Sequence, residues 1–177
     1  GLAVKSTECI YVVFNKTRGP VVRAVDEQRR AQVYTALAAG GLPWLGPVGR
    51  LDKASEGLLL LSNDTTWAAG ITDPATHLDK TYHVQVAGQP DAEALAAMQA
   101  GINDAGDLLK ARRATLLRAG EKNAWLEVVL DEGRNRHIRR LLAALGFDVL
   151  RLIRVAIGPL TLGELAKGQW RRLSADE

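Results

Sequence analysis

The chain has few of the residues that make covalent or metal-held structure. Its single cysteine, Cys9, rules out an internal disulfide and fits a reducing compartment. Cys9 opens an apolar run to Phe14, where a small core residue is expected rather than a reactive thiol. The three histidines, His77, His83 and His137, are dispersed, and Cys9 has no CxxC partner, so no metal-ligand spacing is present. There is no glycine-rich nucleotide loop. No apolar run approaches the ~20 residues of a membrane span, and the first residues do not read as a secretory signal. A cytoplasmic protein without metal or membrane attachment is expected.

What remains is an ordinary globular mix: 177 residues, 47% apolar and 24% charged, favouring one domain with a real core. The net charge is only +3, but it is unevenly spread. Arg134, Arg136, Arg139, Arg140, Arg151 and Arg154 face one nearby acid, Asp148, and Arg171 and Arg172 follow. A guanidinium fork can bond two phosphate or carboxylate oxygens at once, so a polyanionic partner is expected. The competing reading is a solvated basic face.

The pattern of elements favours an α+β fold with a mostly antiparallel sheet. Strands are expected over Cys9 to Phe14, Lys80 to Val86, Ala111 to Arg118, Ala124 to Asp131, Phe147 to Ile157 and Gln169 to Leu173. Asn15 to Val22, with Gly19-Pro20, reads as a loop, and Leu42 to Pro47 carries two prolines and a glycine. Asp26, Asp64 and Asp91 are placed to cap helices, the last running from Ala92 to Ala100 and stopped by Gly101. Arg136 to Leu145 forms an amphipathic helix with Ile138, Leu141, Leu142 and Leu145 as its apolar stripe.

The chain is organised around one stretch, Gly49-Arg50-Leu51-Asp52-Lys53-Ala54-Ser55-Glu56-Gly57-Leu58-Leu59-Leu60-Leu61. The four leucines predict a strand buried on both faces. Gly57 stands where a backbone without Cβ can bend or be approached closely. A carboxylate, Asp52, is thus carried to the edge of a rigid element, as a fixed charge requires. Alone, Asp52 reads equally as a turn cap.

Four ordered motifs lift that ambiguity. Gly49 to Asp52 with Gly57-Leu58-Leu59 resembles the catalytic motif of the RsuA-type ribosomal RNA pseudouridine synthases. Lys80-Thr81-Tyr82 resembles the family's Lys-x-Tyr strand, and Glu132 to Arg140 its arginine motif. Leu152 to Gly158, followed by Leu160, Leu165, Gly168 and Arg171, resembles its C-terminal signature. Phe14-Asn15-Lys16 and Gly19 resemble its first motif, with Thr17 where proline is usual. The resemblance runs from about Tyr11 to Leu173.

It implies a pseudouridine synthase catalytic fold with a central cleft, isomerising uridine to pseudouridine in ribosomal RNA without a cofactor. Asp52 would be the nucleophile, on either the ribose or the uracil ring. Arg139 would keep it ionised against burial, and Tyr82 would stack on a flipped-out uridine. Arg50, Lys53, Lys80, Arg134, Arg136, Arg140 and Arg154 are the expected RNA-binding residues. One catalytic domain over residues 1–177 is expected, acting as a monomer with no protein partner and no separate RNA-binding domain. This layout resembles the family members that act on large-subunit rRNA; the small-subunit rRNA is the alternative target. Two other readings are a non-catalytic RNA-binding module and a hydrolase pairing Asp52 with Glu56 or Asp64.

Overall fold

A computed structural model describes residues 9–17, 38, 40–43, 45–48, 51, 54–76, 78–131 and 136–173. The strands are β1 (Tyr11–Lys16), β2 (Gly46–Val48), β3 (Glu56–Ser62), β4 (Lys80–Ala87), β5 (Ile102–Asp104), β6 (Asp107–Leu109), β7 (Arg113–Ala119), β8 (Asn123–Leu130), β9 (Val149–Ile157), β10 (Leu160–Thr161) and β11 (Trp170–Arg172). The helices complete among the described residues are α1 (Thr65–Thr72), α2 (Ala92–Ala100) and α3 (His137–Ala144). Nine strands form one sheet in the order β11-β1-β3-β9-β4-β8-β7, with β2 added beside β3 and β10 beside β9. Among the described residues every pairing is antiparallel except β3 with β9. The fold is α+β, as the alternation of strands and short helices implies.

The leucine run behaves as its composition dictates. Leu58 and Leu60 enter a cluster with Val13, Val48, Leu160 and Leu162. Leu61 enters another with Val12, Phe14, Leu42 and Leu45. β3 is therefore covered on both faces, and each fully buried leucine contributes about 1.5–3 kcal/mol. In the other half of the sheet, Val84, Val86, Leu126, Val128 and Leu152 pack under Met98 of α2 and Ile138, Leu141 and Leu142 of α3.

Helix ends follow capping chemistry. Asp64 accepts from the Trp67 amide at 3.0 Å to start α1, and Asp91 accepts from the Ala94 amide at 2.8 Å to start α2. Tyr11 donates its hydroxyl to Asp64 at 2.6 Å and packs edge-on against Trp67. That bond holds the Asp64 carboxyl below its usual range and pushes the Tyr11 phenol up to about 12. The end of the chain is sewn to β1. β11 pairs with it through Val12, Val13 and Phe14, Asn15 exchanges backbone bonds with Gly168 and Gln169, and its side chain donates to the Leu165 carbonyl at 2.7 Å.

Several expectations are corrected. Cys9 is exposed, because β1 begins only at Tyr11 and its buried residues are Val12 to Asn15. β1 also runs on through Asn15 and Lys16, which read as loop. Pro47 lies in β2, which among the described residues pairs with β3 only, where a residue without an amide proton is tolerated. The β5–β6 hairpin and β10 add to the expected strands. The helix expected from Asp26 lies almost wholly outside the described residues; Ala38 near its end is helical.

Candidate active site

β2 and β3 are antiparallel neighbours, so residues 49–55, with Asp52 among them, connect the two strands of a hairpin. Asp52, Arg50 and Lys53 lie outside the described residues, as does Arg134 in the later motif. Both flanks of the turn are described. Leu51 is half-buried on one side. On the other, Ser55 is buried and its carbonyl accepts from Lys16 Nζ at 2.8 Å.

Immediately after the turn, β3 meets β9. The parallel seam is two residue pairs long, Glu56 with Ile153 and Gly57 with Arg154. Gly57 has φ +103°, and a Cβ there would stand 2.2 Å from the Arg154 carbonyl oxygen. Only glycine allows this approach. Arg154 in turn faces Tyr82 across the β4–β9 ladder, beside a bulge between Thr81 and Tyr82. Bulges re-aim side chains near sites. The glycine, the arginine and the tyrosine are thus aligned on three adjacent strands.

Tyr82 is half-buried and packs on the cluster that contains Val84 and Val86, so its ring is rooted in the core, as the alternation of β4 implies. Lys80 precedes it by two residues on the same strand and is half-buried. Burial first, then the neighbouring Arg154 charge, pushes the Lys80 ammonium below its usual range. Positive charge crowded into a half-buried place favours an anion there. Arg139 lies half-buried on α3, with its Nε buried. The expected pairing of Arg139 with Asp52 falls outside the described residues because Asp52 does.

Two arginines expected at phosphates have other work. Arg154 is only 4% exposed, and its Nε donates to the Leu58 carbonyl at 2.9 Å, tying β9 to β3. Arg140 points to the β5–β6 hairpin. It binds Asp104 Oδ2 through Nε at 2.7 Å, and its Nη2 donates to the Asp104 carbonyl at 2.8 Å and to Asp107 Oδ2 at 3.0 Å. These acids keep its guanidinium charged beyond its already high tendency. Arg136 is exposed at the start of α3, with a left-handed φ of 54°.

The carboxylates that a hydrolase would pair with Asp52 are both occupied. Asp64 caps α1 and accepts from Tyr11. Glu56 is 4% exposed and forked by Arg151, with Oε1 at 2.8 Å from Nη2 and Oε2 at 3.1 Å from Nε; Lys167 Nζ lies 3.4 Å away. Burial pushes its carboxyl up, but the Arg151 bond and charge outweigh this and hold it below the usual range. Of the histidines, His83 lies 3.3 Å from Glu127 and His137 bonds the Lys110 carbonyl at 2.9 Å, while His77 is outside the described residues.

The bond of Lys16 to Ser55 and the pairing of Glu56 with Arg151 beside the site are not expected from the sequence. Lys16 stands in the recognised Phe14-Asn15-Lys16 run and Glu56 directly before Gly57, so adjacency to a motif was the available signal.

Comparison with known proteins gives a consistent result. Residues 10–144 match the family model described as RNA pseudouridylate synthase. The ribosomal large subunit pseudouridine synthase E of Xanthomonas campestris pv. campestris is 41% identical over 176 residues, covering 90% of this chain and 93% of its own. The protein of the same name from Vibrio parahaemolyticus is 37% identical over 176 residues, covering 92% and 73%. A solved crystal structure of a pseudouridylate synthase superposes with a TM-score of 0.76 at 32% identity, covering 96% of this chain and 72% of its own.

Proposed function

Since the chain belongs to the RNA pseudouridylate synthase family, we propose that it converts a specific uridine of large-subunit ribosomal RNA to pseudouridine, with Asp52 as the nucleophile. The observation that carries this reading is the alignment at the seam. The strand that leaves the Asp52 turn is fixed by Gly57 to Arg154, and Arg154 faces Tyr82. The names of the two relatives support the choice of large-subunit RNA over the small-subunit alternative.

The chemistry needs a uracil to leave its glycosidic nitrogen, turn, and rejoin the ribose through carbon. A nucleophile must hold the intermediate, and a pocket must keep the detached base. Asp52 supplies the first as an ionised carboxylate, kept ionised by Arg139. A uridine in folded RNA must be flipped out, at a cost of a few kcal/mol. Stacking on Tyr82 returns ~1–3 kcal/mol of that. The half-buried, charge-crowded Lys80 serves the phosphate beside the flipped nucleotide, with Arg50, Lys53, Arg134 and exposed Arg136 along the flanking backbone. No cofactor enters.

The test is pseudouridine mapping across ribosomal RNA from cells that carry either the wild type or Asp52→Asn. Loss of one large-subunit pseudouridine in the variant is expected. An unchanged map defeats the proposal, and loss from the small subunit instead transfers the target.

A further inference from the structure

The sheet is two half-sheets joined by its shortest main seam. β11, β1, β2 and β3 stand on one side, and β9, β4, β8 and β7 on the other. Among the described residues, the backbone pairing that links them is two residue pairs of β3 and β9, above a shared core cluster of Val13, Leu58 and Leu60 with Ile157 and Leu160. The seam also divides the functional residues. The turn with Asp52 belongs to the first half, whereas Lys80, Tyr82 and the helix bearing Arg139 belong to the second. The spacing between nucleophile and stacking ring is therefore set across a seam with little backbone to hold it.

Side chains reinforce it on both faces. Arg154 bonds the Leu58 carbonyl on one. On the other, alternation directs Glu56 toward the face of Ile153 and Arg151, where the Glu56 carboxylate and Arg151 guanidinium meet as a two-bond fork. Arg151 is itself held over the Trp125 ring at 5.6 Å, with Arg118 over the same ring at 5.2 Å. The chain of contacts runs from the start of β3 across β9 to β8 and β7. Stability alone does not call for this arrangement, because apolar replacements of a buried ion pair are often neutral or stabilising. A planar fork does what apolar contact cannot: it fixes one strand against another in both sliding and rotation.

We propose that Glu56 and Arg151 are positioning residues that set the Asp52 turn against Tyr82 across the β3–β9 seam. This rests on the reading of Asp52 as nucleophile. Misplacement of reacting groups by about 1 Å can cost ~10²-fold in rate without altering binding. Glu56→Gln keeps the shape and breaks the charge, and Glu56→Gln with Arg151→Gln together keeps a neutral amide pair without the uncompensated charge that the single variant leaves. Arg151→Lys keeps the charge and loses the fork.

The experiment compares these variants with wild type and Asp52→Asn by circular dichroism, affinity for a large-subunit RNA transcript, and the single-turnover rate of pseudouridine formation at saturating enzyme. The expected result is folded proteins whose rate falls roughly 10–100-fold with affinity unchanged within about threefold, and an intermediate rate for Arg151→Lys. A folded fork variant with the wild-type rate, or one whose loss lies entirely in affinity, overturns the positioning role. If Asp52→Asn keeps full turnover, the nucleophile reading itself falls. If it is inactive while the fork variants are fully active, only the positioning role falls.

Discussion

Replacing Gly57 by alanine tests the seam directly. The new Cβ would lie 2.2 Å from the Arg154 carbonyl oxygen, 2.9 Å from its amide nitrogen and 2.9 Å from Ile153 Cγ2, where ordinary contact begins at 3.4 Å. Two of these neighbours are backbone, so β9 must move rather than a rotamer. The positive φ of 103° adds strain of about 1–3 kcal/mol. Displacing β9 weakens two backbone pairings and the Arg154–Leu58 bond, roughly 2–4 kcal/mol by ordinary hydrogen-bond values. A loss of about 3–7 kcal/mol is expected, a large part of a domain's usual ~5–15 kcal/mol. Gly41→Ala is the control: its φ is +79° and nothing lies within 4 Å of its Cβ position, so it carries the strain alone. Urea unfolding followed by far-ultraviolet circular dichroism gives both values. If Gly57→Ala costs no more than Gly41→Ala, the close approach of β9 is not what fixes this glycine.

Other outcomes follow from single contacts. Tyr82→Ala weakens affinity for the target RNA by ~1–3 kcal/mol, roughly 5–150-fold, while Tyr82→Phe keeps it, as equilibrium binding would measure. Leu58→Ala, at a fully buried site on β3, costs ~2–5 kcal/mol in the same unfolding assay. Because the Glu56 carboxyl is depressed in the folded state, its contribution is present above the unfolded carboxyl range and is lost as pH falls through the folded value. Glu56→Gln should therefore flatten the acid limb of stability against pH. Tyr11→Phe should remove a tyrosine that ionises only near 12 from the ultraviolet titration of the folded protein.

Much of this fold is legible in local pattern. The alternation of β4, the hairpin of β7 and β8, the caps at Asp64 and Asp91 and the stripe of α3 all depend on residues within a few positions of one another. The doubly buried β3 follows from its unbroken leucines. The β5–β6 hairpin was not legible, because its turn uses Ala105 at φ 50° before Gly106, and alanine gives no turn signal. Site residues divide the same way. Tyr82 and its face can be read from β4 alone. The tasks of Arg140 and Arg154 cannot, since their partners lie 33–36 and 96 residues away. Glu56 and Arg151 are 95 residues apart, so the sequence offers one as a candidate acid and the other as one of a basic cluster without showing that they pair.

The stitching of β11 onto β1 has a consequence for the order of events during synthesis. Val12, Val13 and Phe14 emerge early, yet the partners of that edge, Trp170 to Arg172, emerge some 160 positions later. Contacts this distant are slow to form, because loop closure must precede any reward. Until then a strand of apolar residues presents an unpaired edge, the kind of surface on which nascent chains aggregate. The nascent chain thus has a vulnerable interval that ends only when Trp170 to Arg172 have emerged and paired, and a chain cut short before Trp170 would leave one edge of its first strand open to any neighbour.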